Sequence, residues 1–146
     1  MQRTLVLLKP DCIQRRLIGT LIQRFEQKGL RLVGLKFLQP TRDLAEKHYA
    51  VHKGKPFYAD LVEFITSGRV LALAVSGESA ISVVRTMMGA TNPLDSSPGT
   101  IRGDYALELE ENIVHGSDSK ASARRLPSTP SISIERASRN DAVPWM

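Results

Sequence analysis

VLALAV, residues 70–75, is an unbroken apolar run of strand length. A strand with one face in water alternates apolar and polar residues; a run without a polar face is covered on both sides. A layer of other elements must therefore enclose it, and its flanks supply them. On the N-terminal side, PFYADLVEFITSG (56–68) opens with Pro56 and closes on Gly68, with Phe57, Leu61, Val62 and Ile65 at helical spacing. Before it, Pro40-Thr41 opens another helix, with Thr41 as N-cap and Leu44, Ala45 and His48 along one side; Gly54 and Pro56 separate the two pieces. LRLVGLKFL (30–38) reads as a second strand. LIQRFEQKG (21–29) reads as a helix carrying Leu21, Ile22 and Phe25, with Thr20 placed to cap its start and Gly29 just past its end. RTLVLL (3–8) is a strand stopped by Lys9-Pro10, since proline lacks the backbone donor a buried strand needs.

On the C-terminal side, Glu78 to Met88 is helical, with Ile81, Val84 (or Arg85) and Met88 on one side and Gly89 as the stop. Thr91 to Gly103 is rich in turn residues, and Tyr105 to Leu109 (YALEL) alternates, which predicts a fourth strand. The order is β-α-β-αα-β-α-β. It predicts an α+β sandwich, and one closure is a ferredoxin-like four-stranded antiparallel sheet covered by helices packed on one face.

Length and composition fit this. At 146 residues the chain suits one domain, and a fold of about this size buries roughly 68–70% of its unfolded surface. With 42% hydrophobic and 24% charged residues, collagen-like and wholly disordered chains are excluded. The single cysteine, Cys12, rules out an internal disulfide and a cysteine-based zinc cluster. No apolar run approaches the ~20 residues of a membrane span, and the N-terminal stretch is too short for a signal-peptide core. The expectation is a cytoplasmic protein with no membrane partner.

The net charge of +5 is uneven: residues 1–118 hold 15 basic and 13 acidic residues, and residues 119–146 hold 5 and 2. A basic chain attracts phosphates. Aromatics are only 5%, too thin for a base-stacking surface, so nucleic acid is not expected as a partner. From Pro127 the texture changes to PSTPSISIERASRNDAVPWM; the expected division is a folded unit over 1–126 and a poorly ordered tail over 127–146.

No phosphate loop of the GxxxxGK[ST] kind, no GxGxxG, no CxxC and no HExxH is present. His48 and His52 are four apart, and two ligands without a third make a solvated helix face the better reading. His115, in ENIVHGSDS, precedes Gly116 and small polar residues. Imidazole, with an unperturbed pKa of about 6.5, is a competent nucleophile near neutrality; read alone, His115 is equally a hydrogen-bonded histidine at a helix start. Arg102 sits between Gly99 and Gly103, able to reach a phosphate bidentately or to pair with Asp104. Lys9 ends the first strand, either projecting into a site or simply solvated.

Together RTLVLLKPD (3–11), GTLIQRFEQKGLRLVGLK (19–36), LAEKHYAVHKGKPFYADLVEFITSG (44–68), MMGATNPLDSSPGTIRGD (87–104) and NIVHGSDS (112–119) resemble the nucleoside diphosphate kinase family, from about Arg3 to Ala123. The resemblance implies a phosphotransferase that moves a γ-phosphate from a nucleoside triphosphate to a nucleoside diphosphate by ping-pong through a phosphohistidine, with Mg2+ on the nucleotide phosphates and no protein metal ligands. By motif match, His115 is then the nucleophile and Lys9 binds the transferring phosphate. Arg85, Thr91 and Arg102 hold the β- and γ-phosphates, Tyr49 stands close to His115, and Asn112 bonds the ribose 3′-hydroxyl. Phe57 and Leu109 enclose the base, with Leu61 lining the slot. The resemblance also implies a homo-oligomer built from dimers, as a hexamer or tetramer.

Four places depart from the family pattern. Cys12 stands in place of glycine, Arg69 in place of the proline of SGP, and VSG (75–77) in place of WEG; these touch packing rather than phosphate chemistry. The fourth is Leu126, which stands where the family carries an acidic residue bonded to the histidine's far ring nitrogen, and Pro127 stops the short helix expected from about Ser119 to Arg125. Without that carboxylate the imidazole is less firmly oriented, so the expectation is transfer that is present but impaired. The competing expectation is a catalytically weak nucleotide-binding or interaction protein of the same fold.

Overall fold

The computed structural model describes residues 1–117. Four strands, β1 (Gln2–Leu8), β2 (Arg31–Leu38), β3 (Val70–Gly77) and β4 (Val114–Gly116), form one antiparallel sheet in the order β2-β3-β1-β4. This is the ferredoxin-like arrangement that the alternation of elements predicts. Six α-helices accompany the strands among the described residues: α1 (Pro10–Gln14), α2 (Ile18–Gln27), α3 (Arg42–His48), α4 (Tyr58–Thr66), α5 (Ala80–Met88) and α6 (Ile101–Tyr105), with 3-10 turns at Ala50–His52 and Pro93–Asp95.

The central run of β3 is buried on both faces, and it divides two cores. Leu71, Leu73 and Val75 point to the face shared with Val6 and Leu8 of β1, where Leu21 and Phe25 of α2 and Val84 and Met88 of α5 close the main core. Each of these large side chains contributes roughly 1.5–3 kcal/mol on burial. Val70, one residue before Leu71, takes the other face and packs with Leu38, with Ala45 of α3, with Tyr49, and with Val62 and Ile65 of α4. Helices therefore cover both faces of the sheet. A single covered face is the wrong closure, because an apolar run without alternation has two faces to bury.

The helix ends show where local rules hold. Thr41 caps α3 by accepting the Leu44 N–H at 3.2 Å, and Gly29 and Gly89 follow α2 and α5 with φ of +96° and +86°. Thr20 lies inside α2, whose N-cap is Leu17; Ile18 and Gly19 belong to the helix. Pro10 ends β1 as expected, and it also starts α1, because a proline at the first helical position loses no needed donor. α3 ends at His48 and His52 lies in the following 3-10 turn, so the two histidines do not share a helix.

The fourth strand corrects the sequence reading. Tyr105 closes α6, residues 106–113 are irregular, and the strand is Val114–Gly116, paired with β1 through Leu8↔Val114, Leu7↔His115 and Val6↔Gly116. YALEL alternates, yet Leu107 and Leu109 are exposed. The shorter IVHG run wins because it meets the free edge of β1. Leu126, the helix expected over 119–125 and the tail 127–146 lie outside the described residues.

Gly103 shows how tightly the turn-rich segment is folded onto α6. A Cβ there would stand 2.0 Å from the backbone oxygen of Ser97. Gly103→Ala should cost about 1–3 kcal/mol, read as a lowered urea midpoint; an unchanged midpoint would mean that the 97–100 turn yields freely.

Candidate active site

β1 and β4 bring the two ends of the described chain together. Beyond Leu8 the pairing continues as Lys9 N–H donates to the Ile113 carbonyl at 2.9 Å, which draws Lys9 beside Asn112. The Lys9 side chain, 6% exposed, donates from Nζ to Asn112 Oδ1 at 2.7 Å. Asn112, also buried, donates from Nδ2 to the Thr91 carbonyl at 2.9 Å. One amide thus ties the end of β1 to the segment after α5.

The outer edge of β4 has no strand beside it among the described residues, and arginines cover it. Arg102, 3% exposed, donates from Nε to the Asn112 carbonyl (3.3 Å) and from Nη2 to the Val114 carbonyl (2.6 Å). Its Nη1 reaches the carbonyls of Gly89 and Ala90, each at 3.3 Å. Arg85, half-buried on α5, donates to the Gly116 carbonyl at 3.4 Å. Carbonyls 112, 114 and 116, alternate residues along one edge, all meet a guanidinium. Asp104 does not pair with Arg102. It bonds Arg24 of α2 at 2.5 Å and accepts the Gly99 N–H at 2.8 Å, which frees Arg102 to turn inward.

His115 is the middle residue of β4 and is half-buried; it is not at a helix start. Cross-strand partners share a face, so its pairing with Leu7, which also faces Ala72 of β3, puts it on the Val70 side of the sheet. That is the side of α3, α4 and the buried Tyr49, whose phenol is pushed up to about 12 by burial. Gly116 permits β4 to lie close to α5, since a Cβ there would stand 2.7 Å from Met88 Sδ.

Burial sets the electrostatics. It drives the Lys9 ammonium down from 10.5 to about 8, with Arg102 acting in the same direction and Asp11 opposing. It brings Arg102 down to about 10, with Arg85 adding repulsion. Asp11, buried beside Lys9, has its carboxyl raised by burial, against the pull of Lys9 and of backbone N–H bonds. The result is a buried cluster of cationic side chains, which favours an anionic partner.

Of the sequence candidates, Lys9, Arg85, Arg102, Asn112 and His115 come together around β4, joined by Thr91 through its carbonyl. Tyr49 lies on the same face. Phe57 and Leu109 are on separate segments, before α4 and in the 106–113 stretch, with 41% and 50% exposure; Leu61 is half-buried against the second core. His52 sits between Tyr49 and Phe57, with ring centroids 6.3 and 5.5 Å away. Sequence reasoning passed over Asp11, which accepts the Ile113 N–H at 3.0 Å. The signal available was its place directly after Lys9-Pro10. A separate cleft of about 640 Å3, between α2, α5 and the turn at 99–101, contains none of these candidates.

The family model described as nucleoside diphosphate kinase matches residues 2–128. The chain belongs to the nucleoside diphosphate kinase family. A nucleoside diphosphate kinase of Heliobacterium modesticaldum is 58% identical over 125 residues, which cover 86% of this chain and 84% of that protein. One from Methanocaldococcus jannaschii is 56% identical over 124 residues, covering 85% and 89%. Among solved structures, a halophilic nucleoside diphosphate kinase from Halobacterium salinarum in complex with CDP has a TM-score of 0.84 at 45% identity, covering 94% of this chain and 88% of that one. As a family member the chain is a nucleotide-binding phosphotransferase, a kinase acting on nucleoside diphosphates. No helix among the described residues is long and apolar enough to cross a membrane.

Lys9 offers a check on this electrostatic picture. Between pH 8 and 10.5 the unfolded chain holds more protons at Lys9 than the folded one, so stability rises with pH across that window. At about 1.4 kcal/mol per pH unit, wild type should gain roughly 3 kcal/mol relative to Lys9→Met from below to above the window. Urea unfolding at several pH values measures this, and a pH-independent difference would refute the depressed ammonium.

Proposed function

We propose that this nucleoside diphosphate kinase works by ping-pong through His115. A neutral imidazole nitrogen attacks the γ-phosphorus of a nucleoside triphosphate, forming a P–N bond as the bond to the β-phosphate oxygen breaks and the diphosphate leaves. A second diphosphate then attacks the phosphohistidine with its β-phosphate oxygen, breaking the P–N bond and restoring the imidazole. One nucleotide pocket serves both half-reactions. The observation that carries the reading is the gathering of Lys9, Arg85 and Arg102 around the strand that bears a half-buried His115. Phosphoryl transfer depends mostly on positioning and charge neutralisation, and three cations held by hydrogen bonds around β4 support both.

In this scheme Lys9 meets the transferring phosphate; an ammonium has three donors, so its bond to Asn112 leaves it able to do so. Arg85, Thr91 and Arg102 hold the β- and γ-phosphates. Asn112 turns its amide to the ribose 3′-hydroxyl, and Tyr49 stands beside the histidine. Phe57 and Leu109 enclose the base above Leu61; their exposed apolar surface supports that role. Mg2+ enters on the nucleotide. The described residues contain no group of three His, Cys, Asp or Glu side chains able to hold an ion, and phosphate oxygens suit a hard cation.

The chain is proposed to act in the cytoplasm, whose reducing conditions suit the lone thiol of Cys12, as a dimer-based homo-oligomer. Support for assembly comes from β2, an edge strand that exposes Leu35 and Phe37 at 53% and 43%. Sedimentation should give a mass of at least two chains, and Leu35→Lys with Phe37→Lys should lower it; a wild-type monomer would remove the proposal.

Incubation with γ-labelled ATP and Mg2+ tests the chemistry. Wild type should acquire one acid-labile, base-stable phosphate, while His115→Ala, or chelation of Mg2+, should abolish it. Nucleotide binding without labelling would favour an interaction protein. Leu126→Glu should label faster than wild type if the missing carboxylate limits transfer.

A further inference from the structure

The approach to β4 contains a backbone conformation that isoleucine rarely adopts. Ile113, fully buried and β-branched, has φ +73°. The N–H of Val114 donates across it to the Asn112 carbonyl at 2.8 Å. This is a γ-turn with positive φ, the rare and strained kind, and such a residue costs on the order of 1–3 kcal/mol unless its surroundings over-determine it. Here they do. The Ile113 carbonyl accepts from Lys9 N–H, and Arg102 takes the carbonyls on either side. The Ile113 N–H donates to Asp11 Oδ2 at 3.0 Å. Asp11 is 5% exposed, and its other oxygen is buried without a hydrogen-bond partner among the described residues. Asp11 is the side chain that closes this account. Without its acceptor, a buried N–H would be orphaned, and the turn would relax toward negative φ.

Asn112 lies on one flank of the turn and His115 two residues beyond it. We infer that Asp11 is a positioning residue for phosphoryl transfer: its carboxylate, acting through the Ile113 N–H, holds the strained turn that fixes the Asn112 amide relative to the His115 ring. This rests on the reading of His115 as the phosphate carrier. The competing role for Asp11 is a counter-charge to Lys9, and the two roles rank variants oppositely.

Asp11→Asn keeps an acceptor in place and removes the charge. Asp11→Glu keeps the charge and displaces the acceptor by about 1.5 Å, one C–C bond. Asp11→Ala deletes both and serves as a second acceptor-lacking variant should Asp11→Glu not fold. With the full chain, Asp11→Asn should retain kcat within about threefold. Asp11→Glu and Asp11→Ala should lose on the order of 10- to 100-fold in kcat, as a misplacement of about 1 Å can, with KM little changed. A higher kcat for Asp11→Glu than for Asp11→Asn, or equal kcat in all, overturns the inference. Hydrogen exchange of the Ile113 amide reads the turn independently of chemistry: slow in wild type and Asp11→Asn, faster in Asp11→Glu and Asp11→Ala. Uniform protection overturns the inference, whereas the expected exchange pattern in a wild type that forms no phosphohistidine overturns only the assignment of His115.

Discussion

Three backbone carbonyls along the outer side of the three-residue strand β4 and the turn that leads into it need donors, and two arginines provide them. β4 is too short to hold itself at the sheet edge. Its inner side has β1; its outer side would face solvent or a foreign strand if Arg102 and Arg85 were not bonded to residues 112, 114 and 116. The same bonds set two cations along the edge of the strand that carries His115. Arg102 also grips Gly89 and Ala90 at the end of α5, so one guanidinium joins the helix end, the irregular segment and the strand. Structural closure and electrostatic preparation come from the same contacts.

The cations are held at a cost. Lys9 and Arg102 are almost wholly out of water and repel one another, and Asp11 offsets this only partly because it is desolvated too. Burying charge without full compensation destabilises a fold. An anion placed among these cations would relieve that burden. Charges fixed in advance by backbone bonds are the ordinary form of preorganisation.

Much of this was legible in the sequence. VLALAV announced a strand with two buried faces, Thr41 announced a helix start, and Gly29 and Gly89 announced helix ends, because each of these signals is local. Errors arose where tertiary structure decided. YALEL alternates properly and still is not a strand, since the edge of β1 is taken by the shorter run at Val114–Gly116. Asp104 looked like the partner of Arg102 by proximity along the chain, but Arg24, 80 residues away, takes it. Lys9, Arg102, Asn112 and His115 stand out by their motifs, but nothing in those motifs says that Arg102 lies along the outer edge of the strand with its donors on carbonyls. Ile113 is the extreme case. Positive φ is signalled by glycine or asparagine, and here it falls on a β-branched residue held by partners from remote segments.

The bond between Lys9 and Asn112 spans 103 positions of the chain. β1 lies in the middle of the sheet, yet it is made first and its neighbours are β3 and β4. During synthesis it must wait, apolar and unpaired, while more than sixty residues follow before β3 can join it, and the arginine-capped edge strand comes later still. Long-range pairing of this sort slows folding and leaves an early hydrophobic strand in need of shelter. The cluster around β4 is therefore among the last parts of the domain to exist, and a nascent chain stalled before residue 112 would have three of the four strands and no β4.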